Sequence, residues 1–163
     1  MGTIEIHTPD LTLSEPTFVE GFPGVGLVGK IASDHLVSEF DMTHYGTCHC
    51  EGLPELAIYH ENDTSITGAV RIYADEDRDL LVLVSDVPIS PSTAEKFANL
   101  IVGWLDDMNA VPLFLSGRPA SPDDEPDMYG VAVGELDHRL RDNNIEPPHE
   151  HGAISGPTGA LLY

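Results

Sequence analysis

Basic residues are scarce in this sequence, and lysine is nearly absent. Of the 163 residues, 28 are Asp or Glu and 7 are Lys or Arg, and the two lysines are Lys30 and Lys96. Proteins bind phosphate backbones through clustered Lys and Arg, so the lack of a basic stripe argues against a nucleic-acid partner. The acidic residues are spread among apolar segments, which argues against a disordered acidic tail.

A net charge of −21 distributed over the whole chain is typical of proteins from a cytoplasm that is molar in salt. At 1 M salt the Debye length is about 3 Å, so self-repulsion is screened while surface carboxylates keep the protein hydrated. An acidic mimic of nucleic acid is the less common alternative. We therefore expect an extreme halophile as the source, and we interpret the charge as a sign of habitat.

Long apolar runs and cysteines are also in short supply. No stretch approaches the ~18 apolar residues that a membrane span needs. The first ten residues, MGTIEIHTPD, have neither the basic nor the apolar part of a signal peptide. We expect a cytoplasmic protein that does not contact membranes. Cys48 and Cys50 lie two residues apart in a predicted strand, too strained for a routine disulfide, so we expect reduced thiols.

What the sequence does contain is an alternation of strand-like and helix-like segments. Leu80–Val84 is a continuous apolar run typical of a strand buried on both faces, and apolar residues recur at helical spacing over Leu27–Phe40. A hairpin is indicated around Asn62-Asp63. The pattern predicts an α/β fold over residues 1–163, a single three-layer αβα sandwich whose central sheet is largely parallel with one antiparallel hairpin.

The second half of the chain gives weaker local signals. A capping box that starts at Ser92 indicates the N-terminus of a helix, and Val111–Leu115 is typical of another buried strand. Tyr129–Val133 is predicted to be a short strand, Gly134–Asn144 a polar helix, and Ala153–Tyr163 a further glycine turn.

Residues 21–30, GFPGVGLVGK, match two nucleotide-binding patterns at once. Gly24, Gly26 and Gly29 fit the dinucleotide fingerprint G-x-G-x-x-G, and the same stretch through Lys30 fits the front of a P-loop. A P-loop needs Ser or Thr after its lysine to bind Mg²⁺, and here that residue is Ile31.

The dinucleotide pattern also needs a carboxylate at the end of the following strand. Glu51 has about the right spacing but lies past the predicted strand end. The favoured interpretation is therefore a strand-to-helix turn in which the glycines serve the backbone. A nucleotide-binding enzyme that uses Gly24, Gly26, Gly29 and Lys30 remains the alternative.

Other combinations of reactive residues are less specific. Loops 23–26, 85–90 and 116–119 should gather at the carboxyl edge of the sheet, where Asp86, Arg118 and Lys30 form the one enzyme-like set.

Metal binding is not indicated by the histidines and cysteines. The residues 44–50 and the trio 149–151 lack the paired spacing of a zinc site. Cys48 and His49 should also point to opposite faces of their strand. We expect no metal and no cofactor.

Three blocks carry a more specific signal because they occur together and in order: FVEGFPGVGLVGKIASDHLV at 18–37, RDLLVLVSDVPISPS at 78–92 and GAISGPTGALL at 152–162. Together they resemble the signature blocks of the proteasome assembly chaperone family, in its archaeal branch. The resemblance implies a three-layer α/β fold, no catalysis and assembly into homo-oligomers. It also implies contact with proteasome α subunits.

The C-terminus departs from that family. Some relatives dock through a tail in which tyrosine is next to last, whereas this chain ends Leu161-Leu162-Tyr163. It also stops inside the third block, so we expect the chain to be truncated at its C-terminal end. The leading hypothesis is a non-enzymatic, self-associating chaperone-like protein without catalytic residues.

Overall fold

The structure is a computed structural model that describes residues 2–121, 123 and 125–163. Within these residues the strands are β1 (Thr3–Ile6), β2 (Thr17–Gly21), β3 (Thr43–His49), β4 (Ile58–Tyr59), β5 (Ile66–Thr67), β6 (Val70–Asp75), β7 (Leu80–Ser85) and β8 (Val111–Phe114). The helices are α1 (Val28–Glu39), α2 (Pro91–Met108), α3 (Asp137–Asp142) and α4 (Gly156–Leu162), and a 3₁₀ turn, Val25–Leu27, precedes α1.

Six of the described strands form one sheet in the order β1-β3-β6-β7-β2-β8, and β4 pairs with β5 in a separate antiparallel hairpin. The pairs β7–β2 and β2–β8 are parallel, whereas β1–β3, β3–β6 and β6–β7 are antiparallel. Four of the six strands, β2, β3, β7 and β8, therefore point the same way. The predicted α/β class is confirmed, with a sheet that is largely parallel in strand direction and a separate hairpin.

The two faces of the sheet bury different side chains, because residues alternate along a strand. Phe18 of β2 packs in a core that includes Phe97 and Ile101 of α2, whereas the adjacent Val19 packs with Leu36 of α1. Each large apolar side chain that is fully buried contributes roughly 1.5–3 kcal/mol. Helices α2 and α4 thus cover one face and α1 the other, which confirms the three layers.

Helix α2 begins two residues earlier than its capping signal predicts. Pro91 occupies the first turn and Ser90 the N-cap position, so the predicted capping box at Ser92 is wrong. Proline suits this position because its fixed φ matches the helix and its missing N–H has no intrahelical partner there. The Ser90 hydroxyl lies 2.9 Å from the hydroxyls of Ser92 and Thr93.

Three predictions in the second half of the chain need correction. Strand β8 is an edge strand in the described sheet, with Leu113 45% exposed, so the prediction of a buried strand is wrong. The strand predicted at Tyr129–Val133 is reduced to a single bridge between Tyr129 and Glu146. The helix predicted over residues 134–144 shortens to α3, whose polar surface leaves little to pack.

The predicted glycine turn over residues 153–163 contains helix α4 instead. Its sequence, GPTGALL, is a weak helix former, but Pro157 suits the first turn and the helix packs along α2. Ala160 and Leu161 lie against the main core, so tertiary packing overrides the local signal. None of the described helices, α4 included, combines the length and apolar character needed to cross a bilayer.

Candidate functional site at the glycine turn

The glycine turn joins β2 to α1 through a strained segment. Gly26 has φ +64° and the next residue, Leu27, is also left-handed at φ +55°. A glycine accepts this conformation freely, but a leucine there costs about 1 kcal/mol or more. Leu27 nevertheless leaves 48% of its surface exposed, so the turn holds an apolar side chain out towards solvent.

Two other glycines allow α1 to lie close to the sheet. A Cβ on Gly29 would stand 2.6 Å from the carbonyl oxygen of Leu115, and a Cβ on Gly21 would collide with the side chain of Ser33. Gly24 differs, since a Cβ there would have no described atom within 4 Å, and its φ of −133° suits any residue. The fingerprint glycines thus have unequal roles, and these roles concern the backbone and packing.

The three loops predicted to gather at the carboxyl edge do meet. Lys30 Nζ lies 3.3 Å from Asp86 Oδ1, which joins α1 to the loop after β7. A Cβ on Gly117 would collide with the carbonyl oxygen of Val25, which places the loop after β8 against the turn. This part of the prediction is confirmed.

The charged groups at this edge form a paired cluster. Arg71, 3% exposed on β6, holds Asp86 Oδ2 at 2.6 Å, and Lys30 also contacts Asp34 at 2.8 Å. Burial raises the pKa of Asp86, but the hydrogen bond and charge of Arg71 and then of Lys30 outweigh it, so the pKa lies below its usual range. Because the cations and carboxylates are engaged with each other, the arrangement suits positioning of the turn better than proton transfer.

Arg118 does not join this cluster as predicted. Its guanidinium lies 3.1 Å from Glu150 and 5.6 Å from the ring of Tyr129. Arg71 takes that place instead, and sequence analysis missed it. The available signal was a cation inside a predicted strand, between Val70 and Ile72, which needs a charged partner when the fold buries it.

Phosphate binding by Lys30 is not favoured by this geometry, because two carboxylates already occupy its ammonium group. Glu51, the possible ribose ligand, follows β3, which lies three strand positions from β2, or roughly 14 Å at about 4.8 Å per strand. It contacts Lys96 of α2 at 3.0 Å.

An aliphatic surface surrounds the turn. We call Val25, Leu27, Val28 and Ile31 the turn patch, and these side chains are 51%, 48%, 47% and 61% exposed. Beside it, two cations, Lys30 and Arg71, face two carboxylates, Asp34 and Asp86, and the charges cancel. A locally neutral, apolar area is unusual on a chain of net charge −21 and is a candidate contact surface.

Glu20 links the first and third sequence blocks on the other face of the sheet. It is completely buried, and the backbone N–H of Phe22 donates to its Oε1 at 2.7 Å. The Thr158 hydroxyl of α4 donates to its Oε2 at 2.9 Å. No local motif in the sequence pairs Glu20 with Thr158, because the two residues are 138 positions apart.

A histidine cluster lies on the α1 face of β1 and β3, away from the turn. Nε2 of His7 lies 2.9 Å and Nε2 of His44 3.3 Å from the Thr47 hydroxyl, beside a cleft of about 340 Å³. Burial, followed by the charge of His7, lowers the pKa of His44. The prediction that Cys48 and His49 point to opposite faces is confirmed, since Cys48 packs in the core below α2 and His49 contacts Glu5.

Two further features of the described residues concern metal binding and the cysteines. In this part of the chain, no group of three or more His, Cys, Asp or Glu is placed to hold a metal ion. Both cysteines are free thiols, and burial raises the pKa of Cys48 to about 12.

Comparison of the whole sequence with known proteins identifies a family and several relatives. A family model described as the PAC2 family matches residues 18–163. An uncharacterized protein of Methanocaldococcus jannaschii is 28% identical over 158 residues, which are 96% of this chain and 63% of the relative. Proteasome assembly chaperone 2 of Danio rerio is 26% identical over 116 residues, 67% of this chain and 45% of that protein. The chain thus spans less than two thirds of these relatives.

A solved structure shares the fold over the full length of the chain. PbaA of Pyrococcus furiosus, an archaeal homolog of proteasome-assembly chaperone, superposes with a TM-score of 0.86 at 25% identity, covering 100% of this chain and 70% of PbaA. The family model includes the glycine turn, the charged cluster and α4. Since it matches nearly the whole sequence, this chain belongs to the PAC2 family.

Proposed function

We propose that this chain is a non-enzymatic, proteasome assembly chaperone-like protein that associates with itself and contacts proteasome α subunits in the cytoplasm. Its membership of the PAC2 family carries the proposal, and the fold shared with PbaA supports it. The engaged charges at the glycine turn agree with a binding role, because they leave Lys30 held by carboxylates.

The turn patch is the surface we assign to contact with a second copy. Where the acidic surfaces of two chains of charge −21 come into contact, their carboxylates lose hydration and lie beside like charges, a cost that screening with a Debye length of about 3 Å does not remove. At the turn patch the four adjacent charges cancel, so two copies can approach there without that cost. The strained Leu27 keeps an aliphatic side chain available for such a contact.

Contact with proteasome subunits is tested by copurification. The tagged chain is expressed with the proteasome α subunits of the same organism, captured in molar KCl, and compared with a control protein of equal acidity. We expect enrichment of α subunits over the control. Equal recovery from both proteins would contradict the proposed contact.

Self-association is tested by native mass spectrometry and light scattering across protein concentrations. We expect an oligomer for the natural chain and a shift towards monomer for Ile31→Asp, which puts a charge in the turn patch. Ile66→Asp is the matched control, because Ile66 on the hairpin is 69% exposed and outside the patch. If the natural chain is monomeric, the proposed self-association is wrong. If Ile31→Asp remains an oligomer, only the assignment of the contact to the turn patch is wrong.

The expectation that this chain binds no nucleotide is tested by measuring its thermal unfolding with ATP, NAD and flavin. A ligand present at 100 times its dissociation constant stabilises the folded state by about 2.7 kcal/mol. We expect no shift for any of the three. A clear shift that Lys30→Met abolishes would instead support an enzyme that uses Gly24, Gly26, Gly29 and Lys30.

A further inference from the structure

Glu20 is a buried acid in an apolar setting. In the sheet its register partners are Leu83 of β7 and Phe114 of β8, and its own strand contains no second ionisable residue. Its carboxylate oxygens accept hydrogen bonds from one backbone N–H and one hydroxyl, both of them neutral donors. A buried carboxylate needs an opposite charge to remain ionised at little cost, and these donors supply none.

The elements packed around Glu20 contribute no counter-charge within the described residues. Strands β7 and β8 and helix α4 contain no titratable side chain in their ranges. Helix α2 carries four, and all of them are exposed: Glu95, Lys96, Asp106 and Asp107. Burial therefore dominates and raises the pKa of Glu20 to about 7, although the hydrogen bonds from Phe22 and Thr158 act in the opposite direction.

Helix α4 is the element over Glu20 that is most easily displaced. It has seven residues, including Gly156, Pro157 and Gly159, and a helix this short does not form stably alone. Its attachment consists of packing against α2, with Ala160 and Leu161 on the core, and of the Thr158–Glu20 hydrogen bond.

We propose that Glu20 and Thr158 form a pH-dependent latch, in which α4 stays docked while Glu20 is protonated and undocks as Glu20 ionises. When α4 leaves, water reaches the carboxyl group and its charged form is no longer penalised. The latch is independent of the proposed contacts with proteasome subunits, because it depends only on groups within this chain.

The direction of the effect follows from linkage. Docked Glu20 has a pKa of about 7, whereas in the undocked state it returns to the ordinary value of 4.5. Docking is therefore strongest below pH 4.5 and weakens as the pH rises through 7. Between pH 5 and pH 8 the docking equilibrium should fall on the order of 100-fold.

Hydrogen–deuterium exchange of the complete chain from pH 5 to pH 8.5, corrected for intrinsic rates, measures this directly. We expect peptides over residues 153–163 to lose protection as the pH rises, while the buried half of α2 stays protected. Glu20→Gln keeps the shape without a charge: its amide oxygen can accept from the Phe22 N–H, and its amide NH₂ can donate to the Thr158 hydroxyl oxygen in place of the present bond. Helix α4 should therefore remain protected at every pH. Glu95→Gln is the matched control on the exposed side of α2 and should behave like the natural chain.

Thr158→Val tests the second half of the latch. Loss of the hydroxyl should weaken α4 protection at every pH, and more strongly at high pH than at low pH, because that hydroxyl stabilises the ionised form of docked Glu20. A merely structural threonine would lower α4 protection by the same factor at every pH, and this result would overturn the latch. So would α4 protection that is constant with pH in the natural chain, or an unchanged pH dependence in Glu20→Gln.

Discussion

Two ionisable side chains are buried on opposite faces of the same sheet, and they differ in the charge of their partners. On the α1 face, Arg71 is 3% exposed and holds the Asp86 carboxylate at 2.6 Å. On the α2 face, Glu20 is 0% exposed and accepts from the Phe22 N–H and the Thr158 hydroxyl. The first has a partner of opposite charge, and the second has two neutral donors.

The carboxyl groups of the two sites consequently shift in opposite directions. Burial raises the pKa of both, but the Arg71 and Lys30 charges bring the pKa of Asp86 below its usual range, whereas that of Glu20 rises to about 7. The ion pair is therefore a constant structural element near neutral pH, while Glu20 changes its charge there. The presence or absence of an opposite charge thus decides whether a buried carboxyl group stays ionised near neutral pH or changes its charge there.

The largest expected effect comes from removing the counter-charge on the α1 face. Asp86→Asn leaves Arg71 buried without an opposite charge, which should lower the free energy of unfolding by about 4 kcal/mol, as measured by urea denaturation at pH 7. Asp34→Asn is the control, because its side chain is half exposed and its loss should cost less than about 1 kcal/mol. Equal losses in the two variants would mean that the Arg71 pair is not needed.

Glu20→Gln should stabilise the chain, and by an amount that depends on pH. Since the folded-state pKa is raised from 4.5 to about 7, the favourable contribution of Glu20 is fully present below pH 4.5 and is lost as the pH rises through 7. The variant should exceed the natural chain by about 3 kcal/mol at pH 8 and differ little at pH 4.5. Urea unfolding at several pH values checks this, and a difference that is constant with pH would contradict it.

A smaller effect is expected from the glycines that bring α1 close to the sheet. Gly29→Ala forces a Cβ against the Leu115 carbonyl oxygen and should cost about 2 kcal/mol, because α1 must shift and carry Lys30 away from Asp86. Gly24→Ala has open space and an ordinary φ, so its change should stay within about 0.5 kcal/mol. Thermal unfolding of both variants distinguishes them, and equal stability would show that α1 tolerates the displacement.

Much of the fold was predictable where one local signal dominates. The apolar run at Leu80–Val84 indicates a doubly buried strand, and β7 is one, with Val82 facing α1 and Leu81 facing α2. The helical spacing after the turn likewise predicts α1. These elements follow from periodicity because their own residues supply the buried surface.

Other elements depended on distant residues and were missed or misjudged. The sequence of α4 has weak helix propensity, and the helix forms because it packs against α2 and the core. Strand β8 looks apolar enough for a central strand, yet it lies at the edge of the described sheet, since strand order is not encoded in any one segment. The charged cluster was predicted in part, with Lys30 and Asp86 correct and Arg118 in the place that Arg71 takes.

The sequence by itself determined the α/β class, the turn at residues 21–30 and the resemblance that the family match bears out. Tertiary structure alone decided the partners of Glu20 and Arg71. Thr158 stands 138 residues from Glu20, and Asp86 reaches Arg71 across two strands and a loop. Local patterns specify what a segment buries, but the stability and charge of a buried group depend on which distant residue the fold places beside it.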